Sequence, residues 1–417
     1  MSPPTPEAVF ALHEGRPGAV WLDGGAESWS VIAWEPESVI VEGADWPRAG
    51  RSLTRASGPG DGPPFRSGVI GYLSYGAGHQ VAPVPREAQT PEPEIWLGRY
   101  SGALCYHGPT RRWVATGGAQ TDLLEEAEAL PSPPPAGPST RRPSWSRQAF
   151  LEAVERIRDL LSEGDCYQVN LTRAEHVLTD DRPFDIYRRL RHSNASWGAF
   201  LRLADDMAVL CNSPEQFLIA RGSEVCTDPI KGTRARAEDD DADRAAHHSL
   251  LTSPKDLAEL TMIVDLVRND LGRVAAVGSV TAGPRRITGH ANVWHSSQAV
   301  SATLASGLDV WDALAATFPP GSVTGAPKVR ACQRIAELEP EPRGVYCGSI
   351  GYVSDCGESR WNVAIRTGVW QPGRMRYHVG GGIVIASDPA SEWQETIDKA
   401  RELERALGLR PSTDSSL

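Results

Sequence analysis

Glutamates on two predicted helices stand where their carboxylates could meet a cation. The segment SPKDLAELTMIVDLVRNDLG carries the signals of a helix that begins after Ser253, with proline in its first turn. At about 100° per residue, Glu259 falls on the apolar stripe of Met262, Ile263 and Leu266. A carboxylate on such a stripe is costly unless a positive group meets it. An arginine at the edge of the core would serve as well as a metal ion, and the pattern leaves both possible.

The last predicted helix, opened by Asp388 and Pro389, carries a second acidic face. Glu392, Glu395 and Lys399 are spaced i, i+3 and i+7, so they lie on one side of the helix. Glu and Lys residues at this spacing are also common on solvent-exposed helix faces that have no binding role. A site is favoured by the preceding residues, HVGGGIVIASDP, because glycines followed by a helix N-terminus let an anion touch the backbone.

Two glycine-rich segments could hold an organic anion. The first contains Gly380, Gly381 and Gly382. The second, FPPGSVTGAPK, is not a nucleotide P-loop, because only three residues separate its glycines and Ala-Pro precedes its lysine. ATP hydrolysis is therefore disfavoured, whereas a carboxylate-binding turn with the Thr324 hydroxyl as donor is possible. Together these segments indicate acidic helices that could hold Mg²⁺ beside glycine loops that could hold an anion.

One lysine lies in a segment with the features of a tight loop. Lys231 stands between Pro229 and Gly232 in the sequence DPIKGTRAR. Surface lysines usually carry no function. Here the proline and the glycine define the backbone, so the direction of the lysine side chain is fixed.

The composition excludes several classes of protein. The 417 residues carry 42 Lys and Arg against 53 Asp and Glu, a net charge of −11 without a basic block, so no nucleic acid partner is expected. Seven cysteines with no CxxC pair and no zinc-like spacing indicate reduced, mostly buried thiols. The sequence shows no signal peptide and no run of 18 apolar residues. We expect a cytoplasmic protein that makes no use of a membrane.

Alternating strand-like and helical segments predict an α+β fold. A proline-rich stretch, residues 130–145, predicts an extended, poorly packed linker. It separates an N-terminal subdomain, 1–129, from a catalytic region, 146–408, which a flexible tail, 409–417, follows.

Two further local predictions concern a helix and a bend. A helix is expected from Ser146 to Gly164, on the basis of its cap and of apolar residues at helical spacing. The acidic stretch EDDDAD, residues 238–243, lacks the glycine and the terminal glutamate of a calcium loop, so a solvated bend is expected there.

Five motifs resemble, in order and spacing, the chorismate-utilising enzymes. They are PIKGTRAR, KDLAELTMIVDLVRNDLGRV, FPPGSVTGAPKVRA, GVYCGSIGYV and GGGIVIASDPASEWQETIDKAR. The match covers residues 146 to about 408, and the N-terminal part fits more loosely through WLDGGAESWSVIAWEP and GVIGYLSY. The resemblance implies two large, mostly antiparallel β-sheets packed as a sandwich and surrounded by helices, with both parts of the chain contributing.

The resemblance also implies a Mg²⁺ site and an anion site for chorismate. Glu259 and Glu395 match the metal ligands, with Glu392 acting through water, and the metal would hold the ring carboxylate. An arginine suits the enolpyruvyl carboxylate because its planar fork matches a carboxylate. The residues implied for substrate binding are Arg366, Tyr346, Thr324, the backbone of Gly380, Gly381 and Gly382, Lys399, Gln168 and, near the ring, His295.

Two further positions bear on the reaction type. Glu215, in NSPEQF, matches the general acid that protonates the departing 4-hydroxyl, which requires surroundings that keep it protonated. Gln168 stands where isochorismate and salicylate synthases have a lysine that activates water. An amide cannot do that, so water addition at C2 is disfavoured.

Lys231 matches the position that marks the aminodeoxychorismate synthases within this family. There the lysine amine is taken to attack C2 as the 4-hydroxyl leaves, and ammonia then adds at C4 and expels it. The amine must be neutral, and we expect Mg²⁺, Arg234 and Arg236 to lower its pKa. The alternative is that Lys231 only pairs with Glu215 or with the substrate carboxylate while ammonia attacks directly.

The resemblance leaves several functions open. No glutamine-hydrolysing motif is visible, so a separate glutamine amidotransferase subunit is the expected source of ammonia.

The alternative functions to an aminodeoxychorismate synthase are anthranilate synthase component I, an aminodeoxyisochorismate synthase and a catalytically idle paralogue that only binds a ligand. The product could serve folate (para-aminobenzoate) or antibiotic biosynthesis. Gly24 and Gly25 stand where a serine is common in the family's tryptophan site, so feedback inhibition by tryptophan is not predicted.

Overall fold

A computed structural model describes residues 3–410, except for 42–44, 57, 59–61, 120, 194–195, 238 and 290–292. Most of the predicted tail, residues 411–417, and Glu238 of the acidic stretch lie outside the described residues. No helix in the described part of the chain is both long enough and apolar enough to cross a bilayer. All seven cysteines are free, and all but Cys226 are buried, as the sequence predicts.

The regular elements of the described residues are ten α-helices and 23 strands. Helices α1 to α10 are, in chain order, Pro6–Ala11, Trp46–Leu53, Leu123–Glu126, Arg147–Ser162, Pro183–Leu190, Asp240–Thr252, Pro254–Gly272, Val310–Thr317, Lys328–Leu338 and Pro389–Ala406. Strands β1 to β12 are Val20–Asp23, Trp29–Ala33, Ser38–Ile40, Gly68–Leu73, Ile95–Tyr100, Leu104–His107, Arg112–Ala115, Thr140–Pro143, Gln168–Leu178, Trp197–Ala204, Met207–Ser213 and Gln216–Arg221. Strands β13 to β23 are Glu224–Asp228, Ile230–Ala235, Thr281–Ala282, Arg286–Gly289, Val293–Ser297, Val300–Thr303, Gly325–Ala326, Ser349–Ser354, Glu358–Asn362, Thr367–Gln371 and Arg374–Ile383.

Two large antiparallel sheets form the body of the molecule, as the resemblance implies. The first has the order β19-β9-β23-β22-β11-β10-β1-β2-β6-β7, with β8 also paired to β9. The second has the order β15-β18-β13-β12-β21-β20-β4-β5-β3, and a small sheet, β14-β17-β16, stands beside them. Apolar residues of both large sheets share one core cluster, which includes Val20, Val31, Val209, Ile70, Tyr72 and Ile350. The fold is therefore an α+β sandwich.

Helices cover the outer faces of the sandwich. Helices α1, α5 and α10 contribute to a cluster on the first sheet, and α4, α7, α8 and α9 contribute to the largest cluster. The cap signals explain the helix starts: the Ser253 hydroxyl accepts a bond from the Asp256 N–H at 3.2 Å, and Asp388 accepts one from the Ser391 N–H at 2.8 Å. Helix α4 begins after the predicted cap, Ser146.

The N-terminal part and the catalytic region share both sheets. Strand β1 pairs with β10 in the first sheet, and β4 pairs with β20 in the second. The predicted linker is not poorly packed throughout, because residues 140–143 form strand β8 along β9. The Arg189 guanidinium also donates to the Pro134 carbonyl at 2.8 Å. The boundary at the prolines thus marks a connection within one sandwich.

The bend predicted at 238–243 is wrong, whereas the predicted solvent exposure holds for Asp239 to Ala242. The described residues of this stretch open α6, and the Asp239 carboxylate caps it by accepting from the Ala242 N–H at 2.8 Å. Acidic residues are favourable in a first helical turn, because the N-terminal end of the helix dipole is positive. The acidic run is a helix start.

Two of the places where the chain crosses between the two large sheets are adjacent. One crossing joins β11 to β12 and contains Glu215; the other joins β21 to β22 and contains Arg366. The Val363 N–H donates to the Glu215 carbonyl at 3.0 Å and so ties the two crossings together. Arg366 has a left-handed φ of +50°, a conformation that side-chain-bearing residues rarely adopt and that is concentrated at functional sites.

Candidate active site

The two predicted acidic faces meet each other. On α7, Glu259 is half-buried, and the positive groups acting on it are Lys231 and Lys255 rather than an arginine. The Lys255 Nζ atom lies 3.9 Å from Glu259 Oε1. On α10, Glu395 pairs with Lys399 at 2.6 Å. The charges of Glu259 and Glu395 act on each other, so carboxylates from separate helices face one site.

Glu392 stands behind Glu395 and is held by its own hydrogen bond. It is buried, and the Ser387 hydroxyl donates to its Oε1 atom at 2.6 Å. Burial raises the pKa of Glu392, and the neighbouring Glu395 charge adds to this. In contrast, the Lys399 ammonium lowers the pKa of Glu395. One of these adjacent carboxyls therefore holds its proton more readily than the other.

Gly381 borders the space that these two carboxylates enclose. A methyl group on this residue would lie 3.2 Å from Glu395 Oε1 and 3.4 Å from Glu392 Oε2. One oxygen of each carboxylate thus lies close to the same residue without a side chain. Carboxylate oxygens are the ligands that Mg²⁺ prefers, and Mg²⁺ usually keeps several waters. The donor set fits a hydrated Mg²⁺, although no group of three or more His, Cys, Asp or Glu side chains in the described residues forms a ready-made metal cluster.

The Lys231 amine points into the same region. Its Nζ atom donates to the Ser322 carbonyl at 2.9 Å. Burial lowers the pKa of Lys231 and the Lys399 ammonium lowers it further, while Glu215, Glu259 and Glu395 act in the opposite direction. The predicted lowering of this pKa is therefore present, and its main cause is burial.

The two arginines that were expected to lower the pKa of Lys231 are engaged elsewhere. Arg234 donates to Asp256 at 2.7 Å, and Arg236 pairs with Asp243 at 2.9 Å. Their charges are largely compensated by these partners. The expectation that they act on Lys231 is wrong, and Lys399 takes that role.

Glu215 lies next to Lys231 and is buried. Burial raises its pKa, whereas the charge of Lys231 and, to a smaller extent, the neighbouring Ser322 side chain and Ile230 backbone lower it. Its Oε1 atom has no hydrogen-bond partner in the described part of the chain. A carboxyl in such surroundings can carry a proton to a bound molecule, as a general acid must.

Gln168 and the glycine strand form one wall of the site. Gln168 is fully buried, and neither polar atom of its amide has a hydrogen-bond partner among the described residues. A methyl group on Gly382 would lie 2.4 Å from its Nε2 atom. The Gly380 carbonyl accepts a bond from Lys399 Nζ at 2.8 Å. The wall thus offers an unpaired amide, and buried polar groups without partners are uncommon outside functional sites.

Arg366 reaches α10 through a residue that the sequence analysis missed. Its Nη1 atom donates to both carboxylate oxygens of Glu402, at 3.1 Å each. Glu402 continues the face of Glu395 and Lys399 one turn further along the helix, and that spacing was visible in the sequence. Because one nitrogen makes both bonds, the rest of the guanidinium fork is left to meet another anion.

Three predicted residues have surroundings that the sequence did not indicate. The Tyr346 ring stacks on His378 at 5.4 Å between ring centroids. His295 is buried on β17, opposite Thr233 of the lysine-bearing strand β14. Thr324 is fully buried, and its hydroxyl lies 3.2 Å from the Pro320 and Gly321 carbonyls. The expected donation from the Thr324 hydroxyl to a bound carboxylate is therefore corrected, because its single proton is used in a hydrogen bond within its own turn.

The use of lysine gives a further signal. Only four of the 42 basic residues are lysines, at positions 231, 255, 328 and 399. Three of them act on Glu395. The fourth, Lys328, is buried and pairs with Asp270 at 2.6 Å. The scarcity of lysine would have singled out Lys255 from the sequence, although it marks Lys328 equally.

A separate cavity of about 250 Å³ is bordered by Gly24. Its other lining residues include Asp23, Ser28, Trp197, Tyr352 and Arg360. Gly24 approaches the Trp29 carbonyl so closely that a methyl group would lie 2.1 Å from its oxygen. The replacement of serine by glycine at this position therefore has a steric reason in the local backbone.

The comparisons with known proteins agree with this fold. The family model described as chorismate binding enzyme matches residues 12–405, and the chain therefore belongs to the chorismate binding enzymes. The chain is 40% identical to aminodeoxychorismate synthase component 1 of Klebsiella aerogenes, over 82% of this chain and 77% of that protein. It is 35% identical to anthranilate synthase component 1 of Streptomyces coelicolor, over 96% and 84%.

A solved structure supports the same assignment. The crystal structure of anthranilate synthase component I from Streptococcus pneumoniae TIGR4 superposes with a TM-score of 0.79 at 29% identity, covering 90% of this chain and 92% of that one. The relatives thus carry two different activities on one fold, and the site residues must distinguish between them.

Proposed function

We propose that this protein is the large subunit of an aminodeoxychorismate synthase, which converts chorismate and ammonia to 4-amino-4-deoxychorismate. The observation that supports this best is the position of Lys231: its amine lies among Glu215, Glu259, Glu395 and Lys399, with a lowered pKa. The similarity to the Klebsiella aerogenes protein supports the same activity. Gln168 in place of a lysine disfavours water as the nucleophile.

Chorismate binds with its two carboxylates at opposite ends of the site. Arg366 and Tyr346 hold the enolpyruvyl carboxylate, and the backbone of Gly380 to Gly382 and Lys399 complete the anion site. His295 lies near the ring. Bound Mg²⁺, held by Glu259 and Glu395 with Glu392 behind them, would neutralise the ring carboxylate. The site must concentrate positive charge locally, because a dianion enters a protein whose net charge is −11.

The reaction exchanges a hydroxyl group for an amine in two displacements. The neutral Lys231 nitrogen forms a bond to C2, the two ring double bonds shift, and the C4–O bond breaks. Glu215 gives its proton to the departing oxygen, which leaves as water. Ammonia then bonds to C4, the double bonds shift back, and the C2–N bond breaks with its electron pair returning to Lys231. Glu215 takes up the proton that the new ammonium group loses.

Anthranilate synthase component I is the second candidate, because the Streptomyces coelicolor relative matches nearly the whole chain. That reaction, like the formation of aminodeoxyisochorismate, requires ammonia rather than a lysine at C2. Lys231 occupies the position from which ammonia would attack. In either case we propose a cytoplasmic protein that receives ammonia from a separate glutamine amidotransferase subunit.

The test is to incubate the protein with chorismate, Mg²⁺ and ammonium and to identify the product by mass. We expect a non-aromatic amine that retains the enolpyruvyl group, and no turnover by Lys231→Ala at any ammonium concentration. Formation of anthranilate and pyruvate by the wild type would overturn the assignment. Undiminished turnover to the same amine by Lys231→Ala would overturn the covalent route.

A further inference from the structure

Ser322 contacts both groups to which the proposed reaction assigns bond-making and proton transfer. Its carbonyl accepts the hydrogen bond from Lys231 Nζ at 2.9 Å. Its side chain lies beside the Glu215 carboxyl on one small cavity and lowers the pKa of that carboxyl. Ser322 is itself buried, with 6% of its surface exposed. One residue therefore lies between the nucleophile and the acid, although Lys231 is on β14 and Glu215 is in the crossing between β11 and β12.

The turn that carries Ser322 is held from several sides. Residues 321–323 form a short 3-10 turn. The Arg343 guanidinium donates to the Val323 carbonyl at 2.8 Å, and the Lys328 ammonium donates to the Thr317 carbonyl at 2.6 Å just before the turn. Gly321 packs against α7 so closely that a methyl group would lie 2.8 Å from Leu266 Cδ2. A turn fixed in this way can hold reacting groups in a defined geometry.

The two contacts of Ser322 have different chemical consequences. A neutral amine has two N–H bonds and one lone pair, so donation of one N–H to a fixed carbonyl restricts the directions that the lone pair can take. A hydroxyl that donates to a carboxyl stabilises its ionised form and limits its rotation. The first contact orients the nucleophile, and the second sets when and where the acid gives up its proton.

We propose that Ser322 is a positioning residue that fixes Lys231 and Glu215 relative to each other, so that attack at C2 and protonation of the leaving hydroxyl occur on one bound substrate. This inference rests on the proposed function. The backbone carbonyl does the first task and survives any substitution. The hydroxyl does the second task and can be removed.

The test compares Ser322→Ala and Ser322→Cys with the wild type in the ammonium-dependent reaction. Alanine removes the donor, and cysteine keeps a group of similar size with only a weak donor. Ser349→Ala serves as the matched control, because Ser349 is a fully buried serine whose hydroxyl donates to the Asn362 carbonyl, at 2.5 Å. The measurements are kcat and KM for chorismate across pH, the product mass and the thermal midpoint of each variant.

Ser322→Ala is expected to lower kcat about 10-fold, with KM for chorismate within about 2-fold of the wild type, because the substrate contacts remain. Loss of the donor raises the pKa of Glu215, so the decline of kcat at high pH should move upward by about one pH unit. The charged groups facing Glu215 are Lys231 and Lys399, and Asp270 lines the small cavity that Glu215 and Ser322 also line. All three are unchanged in the variant. Ser322→Cys should fall between alanine and the wild type.

Two results would overturn the inference. The first is a pH profile and kcat for Ser322→Ala that match those of Ser349→Ala. The second is a loss of activity in both Ser322 variants without any shift of the profile, which would indicate a purely structural role. Failure of the proposed function is recognised separately, because the wild type itself would then form a different product. If Ser322→Ala does not fold, Ser322→Cys alone tests the proposal: an upward shift of its pH profile supports it, and an unshifted profile overturns it.

Discussion

The substitution Gly381→Ala tests whether the carboxylates of α10 face a bound cation. The new methyl group would lie 3.2 Å from Glu395 Oε1 and 3.4 Å from Glu392 Oε2. The φ angle of Gly381 lies outside the left-handed region, so alanine is not strained there. The entropy that alanine removes from the unfolded chain offsets the tight contacts, and the free energy of unfolding should change by less than about 1 kcal/mol.

The effect on Mg²⁺ should be larger than the effect on stability. The methyl group occupies part of the space through which both carboxylates approach the ion. We expect the Mg²⁺ concentration for half-maximal activity to rise about 10-fold, which corresponds to about 1.4 kcal/mol of binding free energy. The stabilisation of the folded protein by Mg²⁺ with chorismate, measured as the rise of the thermal midpoint, should fall in parallel.

The neighbouring substitution Gly380→Ala is the matched control. There the methyl group would lie 2.3 Å from the Leu171 carbonyl oxygen and 2.8 Å from Thr172 Cα, both in the paired backbone of β9. The backbone must shift to admit the methyl group, so the free energy of unfolding of Gly380→Ala, measured in urea, should fall by about 1–3 kcal/mol. The interpretation is refuted if Gly381→Ala shows the Mg²⁺ dependence of the wild type, or if it loses as much stability as Gly380→Ala.

Three other outcomes are expected. Glu215→Gln should lower kcat by about 10²- to 10⁴-fold in the ammonium assay, because the amide has no acidic proton; retention of wild-type kcat would exclude Glu215 as the acid. Arg366→Lys should raise KM for chorismate about 10-fold or more, because a single ammonium cannot engage Glu402 and the substrate carboxylate as a planar fork does; an unchanged KM would contradict this. Burial raises the pKa of Glu87 to about 7 from its usual 4.5, so the folded protein binds more protons than the unfolded chain between these values and loses stability as pH rises through them. Glu87→Gln removes this titration. Its free energy of unfolding in urea, relative to that of the wild type, should rise by up to about 3 kcal/mol between pH 5 and pH 8. A difference in stability that does not change with pH would contradict the raised pKa of Glu87.

The helices could be predicted from the sequence because their signals are local. Ser146, Ser253 and Asp388 each lie at the start of the helix that they were predicted to cap. The pairing of β1 with β10 and of β4 with β20 joins residues far apart in sequence, and periodicity carries no information on such partners. Two large sheets were expected from the resemblance, not from the strand patterns.

The site could be predicted as a set of residues, but its internal contacts could not. Glu259 on an apolar stripe correctly indicated a carboxylate that meets positive charge. The engagement of Arg234 by Asp256 and of the Thr324 hydroxyl by its own turn depends on tertiary packing. Composition could not show either contact, so the cause of the lowered Lys231 pKa was assigned to the wrong neighbours.

The interleaving of early and late strands has a consequence for biosynthesis. Strand β4 ends at Leu73, whereas its partner β20 begins at Ser349. The other neighbour of β4, strand β5, follows within about 30 residues, but at ordinary translation rates the edge of β4 that pairs with β20 stays open on the ribosome for tens of seconds. An exposed β-edge invites association with other chains. The emerging N-terminal third therefore keeps this edge open to other chains until its last partner strand has been synthesised.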